Sequence, residues 1–292
     1  MVKINRAWYP LLSEQMRNSI KSKYLIFKST FERLLLTAQS FPVYSNKVTF
    51  IYHPKDFYEI LLDKTSYARS RILLSSLYLG TGNLERNLIQ KIETNLKNNK
   101  NLKVNILLDY TRGTRGCLCS KSILGPLKTQ FKNNFFLSMY HSPNLRGLIK
   151  KIAPSRWNEL LGLQHMKIYI FDSSVIISGA NLSNDYFTNR QDRYILIEDK
   201  QLSNFFERLI TTVQKFSLNM NENCEMVYLY DICPYKGDKH NFVRNAQRHI
   251  YNLFNKVIEE QNVGKNNNEH KDTWVFPLIE MGQLGIHHDS YI

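Results

Sequence analysis

The chain has 292 residues and a mass of 34.5 kDa, enough to bury a substantial hydrophobic core in one large domain. Its 39 lysines and arginines exceed its 25 acidic residues, so the formal net charge is +14. That excess favours anionic partners such as phosphorylated substrates, nucleic acid or an anionic lipid surface. No segment approaches the roughly 18 apolar residues of a membrane-spanning helix, so we expect any contact with lipid to be peripheral.

The four cysteines, Cys117, Cys119, Cys224 and Cys233, are expected to be free thiols in a reducing compartment, since no secretory signal is evident. The Cys117-x-Cys119 pair could suggest zinc. The other two cysteines are distant in sequence and lack the usual ligand spacing, so we expect no metal site.

Residues 1–41 are predicted to form a basic N-terminal extension. Up to Lys28 this segment contains several lysines and arginines but only one acidic residue, Glu14. Two interpretations remain open: a mitochondrial targeting segment, or an amphipathic helix that docks on the following domain.

The globular part begins near Val48, where apolar strand patterns alternate with amphipathic helix patterns. The predicted strands cover 71–78, 103–109, 135–140 and 193–198, and the predicted helices cover 55–64, 83–98, 120–133, 202–218 and 241–261. Such alternation predicts an α/β fold, a mixed sheet with helices on both faces.

Two turns in this part are candidate phosphate sites. Gly80, Thr81 and Gly82 lie between a predicted strand and a predicted helix, where free backbone amides and the helix dipole favour an anion. The alternative is a purely structural turn, because no P-loop or dinucleotide fingerprint is present. Arg112 and Arg115 follow the strand over 103–109 and suit bidentate phosphate binding, with a solvated basic loop as the alternative.

The most informative stretch covers residues 164–194 and contains His165, Lys167 and Asp172. On a strand, residues two apart share a face, so His165 and Lys167 point the same way as Tyr169, and the opposite face is expected to be core. Ser173 and Ser174 predict a turn. A returning strand over 175–178 would then bring the Gly179-Ala180-Asn181 turn beside the His/Lys pair.

This arrangement suits phosphodiester transfer without a metal or other cofactor. A neutral imidazole is a competent nucleophile near neutral pH, because its ordinary pKa is about 6.5. Lys167 would stabilise charge on the phosphate oxygens, and Asn181 could donate to the same oxygens. Asp172 would face the opposite side of a continuous strand, which favours an orienting role over that of a direct base.

The stretch resembles the HKD motif of the phospholipase D superfamily. GANLS and YFTNRQDRY, together with SLYLGTG and LLDYTRGTRG upstream, are similar to the eukaryotic phosphatidylglycerophosphate synthases. The resemblance implies transfer of a phosphatidyl group from CDP-diacylglycerol to glycerol 3-phosphate through a phospho-histidine on His165. It also implies a mitochondrial location on a membrane surface, and nucleotide contact at the Gly80–Gly82 turn.

By the same resemblance, His165, Lys167 and Asp172 are the catalytic triplet, and Asp192 matches the acidic position that supports the catalytic histidine. We expect Asp192, ahead of Asp172, to hold the far ring nitrogen of His165. The superfamily turn is usually G-S/T-x-N, whereas this chain has Asn181 one place early. Ser183 is therefore an alternative donor.

The superfamily pairs two HKD half-sites, and this sequence contains one. Residues 274–288 resemble the opening of the second half. We predict three parts: the extension over 1–41, an HKD half domain over 42–261, and a polar linker with the start of a truncated second half over 262–292.

A lone half-site leaves several interpretations open. A homodimer could place two copies of His165 face to face, or a second HKD half could be missing and the chain inactive alone. A dimeric single-motif nuclease or phospholipase, or a non-catalytic protein that binds anionic lipid, are the alternatives. Nucleic acid is the less favoured partner.

Overall fold

The structure is a computed structural model that describes residues 39–147, 162–229, 233–263 and 271–288. The described residues between 46 and 250 form one compact unit, and those before 46 and after 250 form another. Almost all of the predicted extension over 1–41, and much of the connection that precedes His165, lie outside the described residues. The predicted domain boundaries stay a prediction.

The strands are β1 (Phe41–Val43), β2 (Val48–Ile51), β3 (Arg71–Ser75), β4 (Lys103–Asp109), β5 (Phe135–Tyr140), β6 (Ile168–Phe171), β7 (Ser174–Ser178), β8 (Tyr194–Glu198), β9 (Leu218–Met220), β10 (Met226–Val227), β11 (Thr273–Val275), β12 (Glu280–Met281) and β13 (Ile286–His287). The helices are α1 (Pro54–Tyr67), α2 (Asn83–Asn98), α3 (Tyr110–Gly113), α4 (Ser120–Gln130), α5 (Asn184–Thr188), α6 (Lys200–Lys215) and α7 (Lys239–Val263).

Nine of the strands form one mixed sheet in the order β10-β9-β5-β4-β3-β6-β7-β8-β2. Strands β3, β4 and β5 pair in parallel, whereas β6, β7 and β8 pair antiparallel with their neighbours. The carboxyl ends of β3, β4 and β7 therefore meet the starts of β6 and β8 at one edge of the sheet. We call this the upper edge, made of residues 76–82, 110–119, 163–167, 179–183 and 189–193.

Helices cover both faces of this sheet, which confirms the predicted α/β class. On one face, the Phe57 ring of α1 lies 5.8 Å from Tyr169 of β6 and stacks on Tyr194 of β8 at 4.5 Å. On the other face, α6 packs against β3, β5, β6 and β7. Burial of apolar side chains on both faces is what stabilises strands in the middle of such a sheet.

The polar pair expected at His165 and Lys167 lies at the entrance to β6. Further along the strand, Tyr169 is fully buried in the core, as is Ile170 on the opposite face. Strand β6 lies in the middle of a sheet covered on both sides, so only its entrance can carry polar side chains.

The predicted elements over 83–98, 103–109 and 135–140 coincide with α2, β4 and β5. The strand predicted over 71–78 ends earlier, at Ser75. Leu77 and Leu79 nevertheless remain buried, and Leu79 forms an isolated bridge with Leu182. The prediction was too long because Leu77 and Leu79 are apolar, although they pack in a loop and not in the strand.

Strands β6 and β7 form the predicted hairpin, with Phe171 paired to Ser174. The turn consists of Asp172 and Ser173, one residue earlier than expected, and Asp172 adopts a φ of 51°. The Asp172 carboxylate accepts hydrogen bonds from the backbone amides of residues 69–71 and from the Ser70 hydroxyl, at 2.6 to 3.1 Å. This carboxylate therefore ties the hairpin turn to the start of β3.

In the other unit, β1 pairs antiparallel with β11, and β12 pairs with β13. The Asp272 carboxylate accepts from the amide and the hydroxyl of Ser45 at 2.7 and 2.6 Å. Residues 39–45 are thus joined to residues 271–275. Within the described part of the chain, no helix has the length and apolarity needed to cross a membrane.

We predict that Asp172→Asn lowers the free energy of unfolding by about 2 kcal/mol near neutral pH, because it weakens several charge-assisted hydrogen bonds. Partial burial acts to raise the pKa of Asp172, but the Ser70 hydroxyl and the amides of residues 69–71 outweigh it and lower the pKa. The ionised carboxylate therefore stabilises the fold above the pKa of the unfolded chain and loses this effect as pH falls through the folded pKa.

Urea unfolding at several pH values provides the measurement. The difference between wild type and Asp172→Asn should shrink below a pH of about 4. Asp63→Asn, at an exposed position on α1, is the matched control and should change stability little. An Asp172→Asn effect no larger than that of Asp63→Asn would contradict the bracing role.

Candidate active site

His165 and Lys167 lie at the entrance to β6, on the upper edge. The Ser178 amide donates to the Lys167 carbonyl at 3.1 Å, which continues the β6–β7 pairing one residue beyond β6. Lys167 is only 4% exposed, and its Nζ donates to the His165 carbonyl at 3.0 Å. His165 itself is exposed. The structure therefore places a reachable imidazole beside a buried ammonium group.

Burial and neighbouring charges change the pKa of both groups. Burial lowers the pKa of Lys167 to about 8; the Asp192 charge acts to raise it and the Arg190 charge to lower it. Partial burial, and then the positive charge of Lys167, lower the pKa of His165 below its usual value. Near neutral pH the imidazole is therefore mostly neutral and nucleophilic while the ammonium is mostly charged.

Asn181 and Ser183 join the turn after β7 to the loop after β3. The Asn181 Oδ1 lies 3.4 Å from both the Ser76 hydroxyl and the Leu77 amide, as a hydrogen-bond acceptor. The Ser183 hydroxyl lies 3.3 Å from the Tyr78 hydroxyl. Both side chains are buried. The two predicted donors thus also hold together the loops that frame the upper edge.

Asp192 lies beside the turn after β7. Its carboxylate accepts from the Gly179 amide at 3.0 Å and from the Arg193 amide at 2.6 Å. A Cβ at Gly179 would lie 2.5 Å from Asp192 Oδ1, so a larger residue here would displace the carboxylate from its present position. Across the described residues, no hydrogen bond joins Asp192 to the His165 ring. The Asp192 carboxylate acts on the charge of Lys167. Its expected support of the His165 ring stays a prediction.

The structure does not bring Asp172 to this pair. Asp172 lies at the far end of β6, where its carboxylate is engaged by residues 69–71. The neighbouring Arg71 guanidinium binds the Asp172 carbonyl and the Glu207 carboxylate of α6. The third member of the motif therefore positions the strand and makes no contact at the upper edge.

The Gly80-Thr81-Gly82 turn is filled by a carboxylate of the chain itself. Glu85 is 2% exposed, and its Oε1 accepts from the Asn184 amide at 2.6 Å. A Cβ at Gly80 or Gly82 would clash with the carboxyl oxygens of Glu85. The close approach of Glu85 accounts for both glycines and favours the structural interpretation of this turn. Phosphate binding there stays a prediction.

The two predicted arginines occupy different environments. Arg112 lies in α3, with its guanidinium 5.0 Å from the centre of the Tyr78 ring. Because Tyr78 contacts Ser183, this arginine is connected to the turn after β7. Arg115 is exposed. Arg112 is therefore the better placed of the two for a phosphate at the upper edge.

Sequence reasoning missed two buried side chains, those of Asp109 and Gln164, that fix the chain immediately before His165. Asp109, at the carboxyl end of β4, accepts from the Gln164 amide at 3.2 Å and from the Thr111 hydroxyl at 2.5 Å. Burial raises the pKa of Asp109 to about 6, against hydrogen bonds that act to lower it. The Gln164 side chain donates to the Ser75 hydroxyl. The sequence signal for Asp109 was its position as the acidic last residue of an otherwise apolar strand.

The cysteines are free thiols, as expected. Cys224 is distant from the Cys117-x-Cys119 pair in sequence but not in the fold, because all three line one groove beside α4. In the described ranges, no cluster of three or more His, Cys, Asp or Glu side chains could hold a metal ion.

The chain is similar in sequence and in fold to known proteins. Residues 61–213 match the family profile described as "Cardiolipin synthase, PLD-like domain". The chain is 37% identical over 280 residues to the mitochondrial CDP-diacylglycerol–glycerol-3-phosphate 3-phosphatidyltransferase of Homo sapiens, covering 86% of this chain and 50% of that protein. It is 50% identical over 169 residues to the enzyme of that name from Schizosaccharomyces pombe, covering 57% and 33%.

The chain spans about half the length of the curated relatives it matches. Among solved structures, it is similar in fold to phosphatidylserine synthase from Haemophilus influenzae, with a TM-score of 0.52 and 19% identity. That alignment covers 82% of this chain and 48% of the synthase. At this identity the similarity extends to the fold alone.

We predict that the His165 imidazole titrates below its ordinary pKa of about 6.5 and that Lys167→Met raises this pKa, because it removes a nearby positive charge. Proton NMR of the imidazole ring measures both values. His165→Gln identifies the resonance among the 8 histidines. Lys91→Met removes an exposed lysine on α2 and should leave the pKa unchanged. Identical titration of His165 in both methionine variants would refute this electrostatic coupling.

Proposed function

Because the chain belongs to the family of phospholipase-D-like domains, we propose that it is a phosphatidyltransferase half-site that uses CDP-diacylglycerol and glycerol 3-phosphate. The observation that carries this proposal is the exposed imidazole of His165 beside the buried, positively charged Lys167. The names of the most similar relatives supply the substrates.

In the first step, a ring nitrogen of His165 attacks the phosphorus of the phosphatidyl group. A nitrogen–phosphorus bond forms, the phosphorus–oxygen bond to CMP breaks, and CMP leaves with the bonding electron pair. The Lys167 ammonium stabilises the negative charge that develops on the phosphate oxygens. This step requires neutral His165 and charged Lys167, the states that their pKa shifts favour between the pKa of His165 and about 8.

In the second step, a hydroxyl of glycerol 3-phosphate attacks the phospho-histidine. The new phosphorus–oxygen bond replaces the nitrogen–phosphorus bond, and the hydroxyl proton is taken up by a general base. A second HKD half-site would supply that base. In this proposal it comes from a second copy of the chain or from a separate second half.

The supporting residues have distinct proposed roles. Asp172 positions β6, Asn181 and Ser183 fix the turn after β7, and Asp192 tunes the charge of Lys167. The net charge of +14 suits peripheral contact with an anionic membrane surface, where the lipid substrate would be found. The mitochondrial naming of the relatives supports the same location for this chain.

Trapping the covalent intermediate tests the proposal. The full chain is mixed with CDP-diacylglycerol that carries a radioactive phosphatidyl phosphate, quenched with alkali and separated under denaturing conditions. We expect label on the protein that is lost on acid treatment, as for a phosphoramidate. His165→Gln should abolish the label, because the nucleophile is gone.

His240→Gln removes an exposed histidine at the start of α7 and should leave the label unchanged. Equal labelling of His165→Gln and wild type would refute a phospho-histidine at this position. The absence of label from wild-type chain would refute an active half-site in the isolated protein.

A further inference from the structure

Arg190 is a cation on the upper edge that the sequence interpretation assigned no role. It lies between α5 and β8, in a loop fixed at both ends. Its amide donates to the Asp185 carbonyl at 2.7 Å, and its carbonyl accepts from the Tyr194 hydroxyl at 3.4 Å. Two residues later, Asp192 holds the Gly179 amide. The backbone of Arg190 is therefore anchored beside the turn after β7.

The Arg190 side chain rests on an aromatic ring that belongs to the same edge. Its guanidinium carbon lies 4.6 Å from the centre of the Tyr186 ring. Tyr186 is buried, and it belongs to α5, which follows the turn after β7 directly. A guanidinium stacked on a ring keeps its in-plane N–H groups available for a bidentate acceptor.

In the part of the chain that the structure describes, no salt bridge joins Arg190 to an acidic side chain. The Asp192 carboxylate acts on Lys167, and the Arg190 charge opposes the protonation of that lysine. Lys167 thus lies within electrostatic range of a second cation, Arg190, and of the Asp192 carboxylate. The arrangement favours an anion that carries more than one charge.

We propose that Arg190 binds the second phosphate of a diphosphate-linked substrate while Lys167 holds the phosphate that His165 attacks. This inference rests on the proposed function, because it assigns Arg190 to the phosphate of the CMP leaving group. A phosphodiester has one ionised oxygen, which Lys167 alone can neutralise. A diphosphate diester has two, and Arg190 supplies the second charge with a geometry suited to two phosphate oxygens.

Arg190 would therefore select a diphosphate donor over a simple phosphodiester. It is a binding and specificity residue, and it takes no part in bond formation. Arg112, the arginine predicted from the sequence, instead contacts the Tyr78 ring, and the Tyr78 hydroxyl contacts Ser183.

Binding of inorganic pyrophosphate and inorganic phosphate to the full chain, measured by isothermal titration calorimetry at low salt, tests this inference. Wild type should bind pyrophosphate more tightly than phosphate. Arg190→Gln should weaken pyrophosphate binding about tenfold and phosphate binding far less, and Arg190→Lys should lose less than Arg190→Gln.

Arg193→Gln is the matched control, because it removes the same charge three residues away at an exposed position. It should bind both anions as wild type does, and thermal melts should show that all variants are folded. The inference is wrong if both glutamine variants lose pyrophosphate affinity equally, or if Arg190→Gln weakens phosphate as much as pyrophosphate. It is also wrong if wild type does not prefer pyrophosphate.

No group transfer occurs in this measurement, so its result is separate from that of the labelling experiment. A selective loss with Arg190→Gln, together with no label on His165, would support the binding role and refute the transferase proposal. Label on His165 without a selective loss of pyrophosphate affinity would support the transferase proposal and refute the binding role of Arg190.

Discussion

The insertion of β6 between β3 and β7, antiparallel to both, is the constraint on which the site depends. Because β3 runs in the opposite direction, the entrance of β6 lies beside the exit of β3. The return along β7 brings the Gly179-Ala180-Asn181 turn to the same edge. His165, Lys167, Asn181 and Ser183 meet there through strand direction, although the loop after β3 is about a hundred residues earlier in sequence.

Burial of a charge gives this edge its chemistry. Lys167 is almost completely buried. The negative charge of Asp192 favours its protonated form, and the positive charge of Arg190 disfavours it. Enclosing an ammonium is unfavourable unless nearby groups compensate, and the His165 carbonyl and Asp192 supply only part of that compensation. A bound phosphate would supply the rest. The same charge disfavours protonation of His165, so the electrostatics that bind an anion also maintain a nucleophile.

Much of the fold could be predicted from the sequence, because apolar periodicity and strand–helix alternation are local signals. β4, β5 and α2 were placed within their true limits for this reason. The spacing of His165 and Lys167 was also enough to propose them as a pair, and the structure places both at the entrance to β6. The contact of Asp192 with the Gly179 amide could not be predicted, because it depends on the packing of a loop. Glu85 was missed, since nothing in the sequence indicates that a carboxylate fills the Gly80–Gly82 turn.

A crystal structure of the chain soaked with tungstate, a tetrahedral oxyanion that resembles phosphate, tests the central claim most directly. The account predicts that tungstate binds in contact with a ring nitrogen of His165 and within hydrogen-bonding distance of Lys167 Nζ. Tungstate bound at another surface with this position empty, or a His165 ring turned away from the upper edge, would contradict it.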